Sequence, residues 1–168
     1  MAWTTPITWV AGQVVTAATM NAQVSGNLNF LNAGVMTPSG AWTSYTPTVG
    51  GTGWALGNAT TVGAYAQAGK ATDFQVQITF GTTSTFGTGA LTISLPVQAS
   101  GSTTANTWYG SAVHSGVTYP VILAASAGGT SGVCLTVASP AGNVTSTAPF
   151  TWAPGDGIRF TSCVFQAL

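Results

Sequence analysis

The sequence predicts a mainly β fold: an N-terminal α-helical segment followed by an antiparallel β-sandwich of jelly-roll type. Three observations predict it. Near the start, Ala17, Met20, Val24, Leu28 and Leu31 follow one another at steps of three or four, which keeps them on one helix face. From Trp42 onward the spacing becomes strict alternation, clearest in "FQVQITF" at residues 74–80, the period of a half-buried strand. Between the alternating runs lie clusters of Gly, Ser, Thr, Asn and Pro, which punctuate short strands in all-β domains.

The helix is expected within residues 8–34. Thr16 suits its N-cap, and Gly34 suits the left-handed residue after the last turn. The opposite face offers Thr19, Asn21, Gln23, Ser25, Asn27 and Asn29, and no position in the stretch is charged. Gly26 in its interior weakens it by about 1 kcal/mol relative to Ala, and an isolated helix of this length is marginal. It therefore has to pack on its own domain, on copies of itself or on a larger partner. "TPSGAW" at 37–42 reads as a joint. Residues 1–41 are thus expected to form an extended and helical N-terminal segment, and residues 42–168 a β-sandwich domain.

Within that domain the alternation assigns faces. Phe74, Val76, Ile78 and Phe80 point one way, with Gln75, Gln77 and Thr79 opposite. Leu91, Ile93 and Leu95 repeat the pattern, as do Val133, Leu135 and Val137, and then Ile158, Phe160, Ser162 and Val164. "NTWYGSAVHSG" and "YPVILAAS" read as weaker strands. "QAGKATDF" reads as a turn between strands with Lys70 at its tip.

Composition limits the function classes. Charged residues are 2% of the 168, against a usual quarter. They are Lys70, Asp73, Asp156 and Arg159, with His114 as the one imidazole. Two basic residues cannot build the patch that neutralises nucleic-acid phosphates or binds anionic lipid. No apolar run approaches the ~18 residues of a membrane span. "MAWTTPITWV" lacks a basic region before an apolar core, so no secretory signal is read there. The sequons at Asn58 and Asn143 then read as chance in a Thr-rich chain. A neutral surface leaves a free protein poorly protected from association; residence in an assembly removes that hazard.

Catalysis finds little support. General acid–base chemistry needs positioned titratable groups, and the chain has no Glu. A carboxylate pair would have to be Asp73 with Asp156, and a Ser–His–Asp triad would need His114; no local motif marks either. "GAYAQAGKAT" fails as a phosphate loop, since five residues separate Gly63 from Gly69 and Ala71 stands where a hydroxyl is needed. Asp156, between two glycines, reads as a turn former, and Arg159 as a partner for Asp156 or Asp73. Cys134 and Cys163 can form a disulfide or serve as two small buried hydrophobes; there is no Cys-x-x-Cys or Cys/His cluster for zinc. No enzyme activity, cofactor or metal is expected. Trp54, Trp108, Tyr109 and Trp152 lie in or beside loops, where they can stack on sugars, anchor a subunit interface or fill the core.

The N-terminal stretch "AWTTPITWVAGQVVTAATMNAQVSGNLNFL" resembles the N-terminus of virion proteins of tailed bacteriophages, notably those infecting actinobacteria. "YTPTVGGTG" and "VGAYAQAGKATDFQVQITFGTTSTFGTGALTISLPV" are similar to domains of phage tail-fibre, tail-tip and head-decoration proteins. The resemblance implies a homotrimeric structural protein at the virion surface, attached by its helix and displaying a β-rich knob. Its partners would be itself, tail or major capsid proteins, and a host-surface glycan. The tail-fibre or tail-tip role is the leading reading; capsid decoration is the alternative, and a free carbohydrate-binding module a remote one. Relatives often carry charges in the helix. Their absence here favours a helix packed on threefold-related copies or against the particle.

Overall fold

The computed structural model describes residues 5–29, 42–101, 106–137 and 142–168. The chain divides into two units, Met1–Ala41 with Gln67–Gly69, and Trp42–Ala66 with Lys70–Leu168. No helix among the described residues is long and apolar enough to cross a membrane.

In the first unit the helix starts at Ala17 rather than near residue 8. Thr16 is extended and its hydroxyl accepts the Thr19 N–H at 3.2 Å, which is N-cap geometry. Helix α1 (Ala17–Met20) runs into wider π-helical turns over Asn21–Gly26, and helical backbone continues to Asn29. A Cβ at Gly26 would stand 3.2 Å from the Asn21 carbonyl oxygen, so a residue without a side chain suits the widened turn. Residues 8–16 are not helical. Gly12 turns the chain at φ 81°, and Gln13 folds back on Val10: its N–H donates to the Val10 carbonyl at 3.1 Å, and its Oε1 accepts the Val10 N–H at 3.2 Å. The β-branched run Val14, Val15, Thr16 also disfavours helix before the cap. Further along, the Gln23 side chain donates to the Thr5 carbonyl (3.3 Å) and accepts the Ile7 N–H (3.1 Å), much as a neighbouring strand would. Leu31, Gly34 and the 37–41 part of the joint lie outside the described residues.

The second unit is one curled antiparallel sheet. Its strands are β1 (Thr43–Tyr45), β2 (Val49–Gly50), β3 (Thr60–Ala68), β4 (Ala71–Thr79), β5 (Thr92–Ser94), β6 (Asn106–His114), β7 (Val117–Ala125), β8 (Ser131–Thr136) and β9 (Gly157–Gln166). They lie in the order β1-β3-β4-β9-β6-β7-β8-β5-β2. The two edge strands are therefore consecutive in the chain, separated by Thr46, Pro47 and Thr48 alone. At 3.8 Å per Cα step, Tyr45 and Val49 are at most about 15 Å apart, so the sheet must curl until its edges approach. Pro47 is fully buried at this corner, where its missing N–H removes no ladder bond. Ser115 and Gly116, both at positive φ, form the two-residue turn that sends β6 into β7.

The core fills the concave side. Phe74, Val76, Ile78 and Phe80 are buried along β4, as the alternation predicts, and so are Leu91, Ile93 and Leu95 around β5. Strand β8 corrects the expected face: Cys134 and Thr136 point inward, Val133 and Leu135 are half-buried, and Val137 is exposed. Its pairing with β7 sets this, because Leu123 opposes Cys134 and Val121 opposes Thr136, and opposed residues share a face. Strand β9 begins as predicted, with Ile158 and Phe160 buried, and then departs. Phe74 pairs with Cys163 but Val76 pairs with Phe160, so three steps on β9 meet two on β4. Ser162, at φ 54°, is in this β-bulge. Beyond it Cys163, Phe165 and Ala167 face inward, while Ser162 and Val164 face out.

Phe80 sits edge-on to Phe86 and Trp152, with ring centroids at 5.2 and 5.3 Å. Truncation by Phe80→Ala is expected to cost about 3–5 kcal/mol, read from urea unfolding; a loss below about 1 kcal/mol would contradict its place in the core.

Candidate functional site

Two titratable side chains of the β unit, His114 and Asp156, meet between the end of β6 and the loop before β9. In the loop, the Asp156 N–H donates to the Ala153 carbonyl (3.1 Å), and Asp156 Oδ2 accepts the Ala153 N–H (2.7 Å). This is the turn-forming role that a residue between two glycines predicts. The Phe80 N–H donates to the Asp156 carbonyl, and the Gly155 N–H to the Phe80 carbonyl, each at 2.8 Å, which anchors the turn to the end of β4. His114, the last residue of β6, then lies over the carboxylate. Its Nδ1 is 2.9 and 3.0 Å from the two oxygens. The aspartate side chain is 5% exposed and the histidine 34%.

A carboxylate only accepts, so Nδ1 carries the proton in this contact. The imidazole stacks on Phe150 at 4.8 Å, and Phe150 in turn packs on Tyr119 (4.8 Å) and Trp152 (4.5 Å). Histidine and aspartate are so disposed in the base-and-orienter half of a hydrolase triad. The other half is missing among the described residues: no hydroxyl is hydrogen-bonded to Nε2. The pair holds a buried carboxylate and ties the end of β6 to the loop before β9. No sequence signal pointed to it, since its members lie 42 residues apart.

The remaining charges are dispersed. Arg159 does not pair with Asp73 or Asp156; its Nε donates to Ser111 Oγ at 2.9 Å, because Ser111 opposes it across the β6–β9 ladder. Lys70 is exposed in the β3–β4 turn. No cluster of three or more His, Cys, Asp or Glu side chains able to hold a metal exists among the described residues.

Both cysteines are free and buried, so the small-hydrophobe reading describes them and a mutual disulfide does not. Burial, with the Asp73 carboxylate adding to it, pushes the Cys163 thiol up to about 12; burial alone raises Cys134 further. Tyr45 is raised as well, by burial first and by Cys163 second. Near this group, Tyr45 Oη, Thr72 Oγ1 and Asp73 Oδ1 are buried without a protein hydrogen-bond partner.

Three of the four aromatics singled out as contact candidates belong to the core, which corrects that use of them. Trp54, Trp108 and Trp152 are buried. Their indole N–H groups donate to backbone carbonyls of Gly89 (2.8 Å), Val164 (2.9 Å) and Ala148 (3.3 Å). Trp54 and Trp152 pack with Phe80 and Phe86, and Trp108 with Phe74 and Phe165. Trp54 and Trp152 stand in loops packed on the core, and Trp108 lies within β6. Tyr109, 74% exposed, points outward. Of the helix residues, Met20, Val24 and Leu28 are exposed, and Ala17 is too.

One concavity went unnoticed in the sequence. A pocket of about 420 Å³ is lined by Tyr119, Pro120, Thr136, Val137, Thr147, Ala148 and Pro149. "YPVILAAS" read only as a weak strand, and nothing in it signalled that the loop around Pro149 returns beside Tyr119. Compared with known proteins, the chain matches no protein-family model, no curated protein and no solved structure.

Two outcomes are expected. His114→Ala removes a partner of the buried carboxylate and should lower stability by about 1–3 kcal/mol in urea unfolding at neutral pH. The second concerns the thiols. Both should resist a thiol-specific reagent in the native protein at pH 8 and react after unfolding. Because the Cys163 pKa is raised from about 9 to about 12, the native state binds the proton more tightly than the unfolded state. Its contribution to stability is present below pH 9 and is lost as pH rises through about 12, so unfolding midpoints should fall across that window.

Proposed function

We propose that this chain is a structural protein of a tailed-phage virion surface, at the tail fibre or tail tip, which assembles as a homotrimer. The N-terminal unit attaches it and the β unit, read as a jelly-roll-like sandwich, is displayed to the host. The observation that carries this reading is the apolar surface of the N-terminal unit. Trp9, Val10, Val15, Met20 and Val24 are exposed, as are Leu28 at 59% and Val14 at 81%. So dense an exposed apolar set marks an interaction surface, and no charged residue lies near it in sequence to keep chains apart.

Three further facts support the reading. The resemblance of residues 2–31 to phage virion proteins falls on this same segment. The stripe residues Ala17, Met20, Val24 and Leu28 follow at steps of three or four and are all exposed. The buried hydrophobic core lies wholly between Trp54 and Ala167, so the displayed unit does not rely on the N-terminal unit for its core.

The full chain is expected to be a trimer in solution by mass measurement. A variant carrying Val24→Asp and Leu28→Asp should be monomeric, with the unfolding of the β unit unchanged. Residues 42–168 alone should fold, remain monomeric and fail to join particles. A monomeric full chain, or incorporation of the truncated one, would sink the proposal.

A further inference from the structure

We infer that the pocket between Tyr119 and Pro149 binds a neutral pyranose sugar. Its walls are rich in C–H groups: the Tyr119 ring, the Pro120 and Pro149 rings, and the side chain of Val137. The tyrosine is held in place, because Phe150 packs against its ring at 4.8 Å and is itself stacked on His114. A fixed aromatic wall loses little freedom on binding.

The polar groups narrow the ligand further. Tyr119 is half-buried and Thr147 exposed, and each brings a hydroxyl to the pocket lining. Thr136 also lines the pocket, but its hydroxyl is committed to Gly142, donating to the carbonyl at 3.1 Å and accepting the N–H at 3.2 Å. No charged side chain lines the pocket. The nearest ion pair, beyond Phe150, is compensated within itself.

An ionic ligand would meet no counter-charge here, and its desolvation would go uncompensated. A purely hydrocarbon ligand would strip water from the two hydroxyls without replacing their bonds. A pyranose has an apolar C–H face for the ring walls and equatorial hydroxyls for Tyr119 and Thr147. The volume, about 420 Å³, is at the small end of ligand pockets and suits one or two sugar rings. Proline-rich peptides dock on grooves lined by several aromatic rings, and this lining contains one.

With two side-chain hydroxyls and one aromatic wall, each site should be weak, with Kd near 1 mM, and presentation of several copies would raise the overall affinity. The inference gives the host contact of the virion reading a location, and rests on that reading only for the source of the sugar.

The test is an NMR titration of the full chain with the methyl glycosides of glucose, galactose, mannose and N-acetylglucosamine. At least one should shift the backbone amides of Tyr119, Thr136, Val137 and Thr147 saturably. Tyr119→Phe and Thr147→Val each remove one hydroxyl and leave the packing, so each should weaken binding about 3- to 10-fold with an unchanged melting temperature. The inference is overturned if none of the four sugars moves those amides at about 100 mM, a hundredfold above the expected Kd. It is also overturned if binding survives both substitutions at full strength, or if a proline-rich decapeptide shifts the same amides where the sugars do not. Particle incorporation is measured separately, so loss of the sugar site leaves the virion reading standing and the reverse also holds.

Discussion

Thr46, Pro47 and Thr48 connect the two edge strands of the sheet, and that short link sets how far the sheet must curl. An open sheet with nine strands would leave its edges far apart. Here the curl brings Phe74, Phe80, Leu91, Leu123 and Phe160 from distant strands into one buried cluster. The same closure deals with the exposed edges. Edge strands commonly carry Lys or other charges that deter pairing with another chain, and this protein has almost none to place there. It uses length instead: β1 has three residues and β2 has two, too short to template much of a foreign strand.

Scarcity of charge shapes the polar interactions too. Among the described residues, His114 and Asp156 form the one ion pair. Most of the other side-chain hydrogen bonds join amides, hydroxyls and indoles to backbone. Asn58 shows the pattern: its Oδ1 accepts the Thr83 N–H at 2.9 Å and its own N–H donates to Thr83 Oγ1 at 2.8 Å, which joins two loops. Such bonds are directional and little affected by salt, unlike surface ion pairs.

How much of this was legible in the sequence depended on whether the signal was local. The faces of β4 and of the Leu91–Leu95 stretch were readable, because each residue there obeys the period of its own strand. Thr16 was readable as a cap for the same reason. The face of β8 was not: "GVCLTVAS" sets Val133, Leu135 and Val137 against Cys134 and Thr136, and pairing with Val121 and Leu123 turns the second set inward. The second half of β9 failed at Ser162, where one extra residue inverts the phase and no glycine advertised the left-handed backbone. The tryptophans stayed open between core, interface and sugar contact, because sequence position says little about exposure, and burial assigns Trp54, Trp108 and Trp152 to the core. The His114–Asp156 contact and the Tyr119 pocket join segments with no shared pattern, so only the fold brings them together.

The position of β9 has a consequence for how the β unit comes into being. It is the last of the nine strands in chain order, yet it lies at the centre of the sheet, between β4 and β6. During synthesis, β3 and β4 can pair early, and so can β6, β7 and β8, but the two groups have no ladder between them until residues 157–166 have emerged. Until then the inner edges of β4 and β6 stand open, each nine residues long, and such edges invite pairing with other chains. Insertion of β9 is a long-range step of the kind that slows folding, and it converts two open half-sheets into one curled sheet at once. A nascent chain of this protein is therefore vulnerable until residues 157–166 have emerged, and the strand that ends the hazard is the one that lies between β4 and β6.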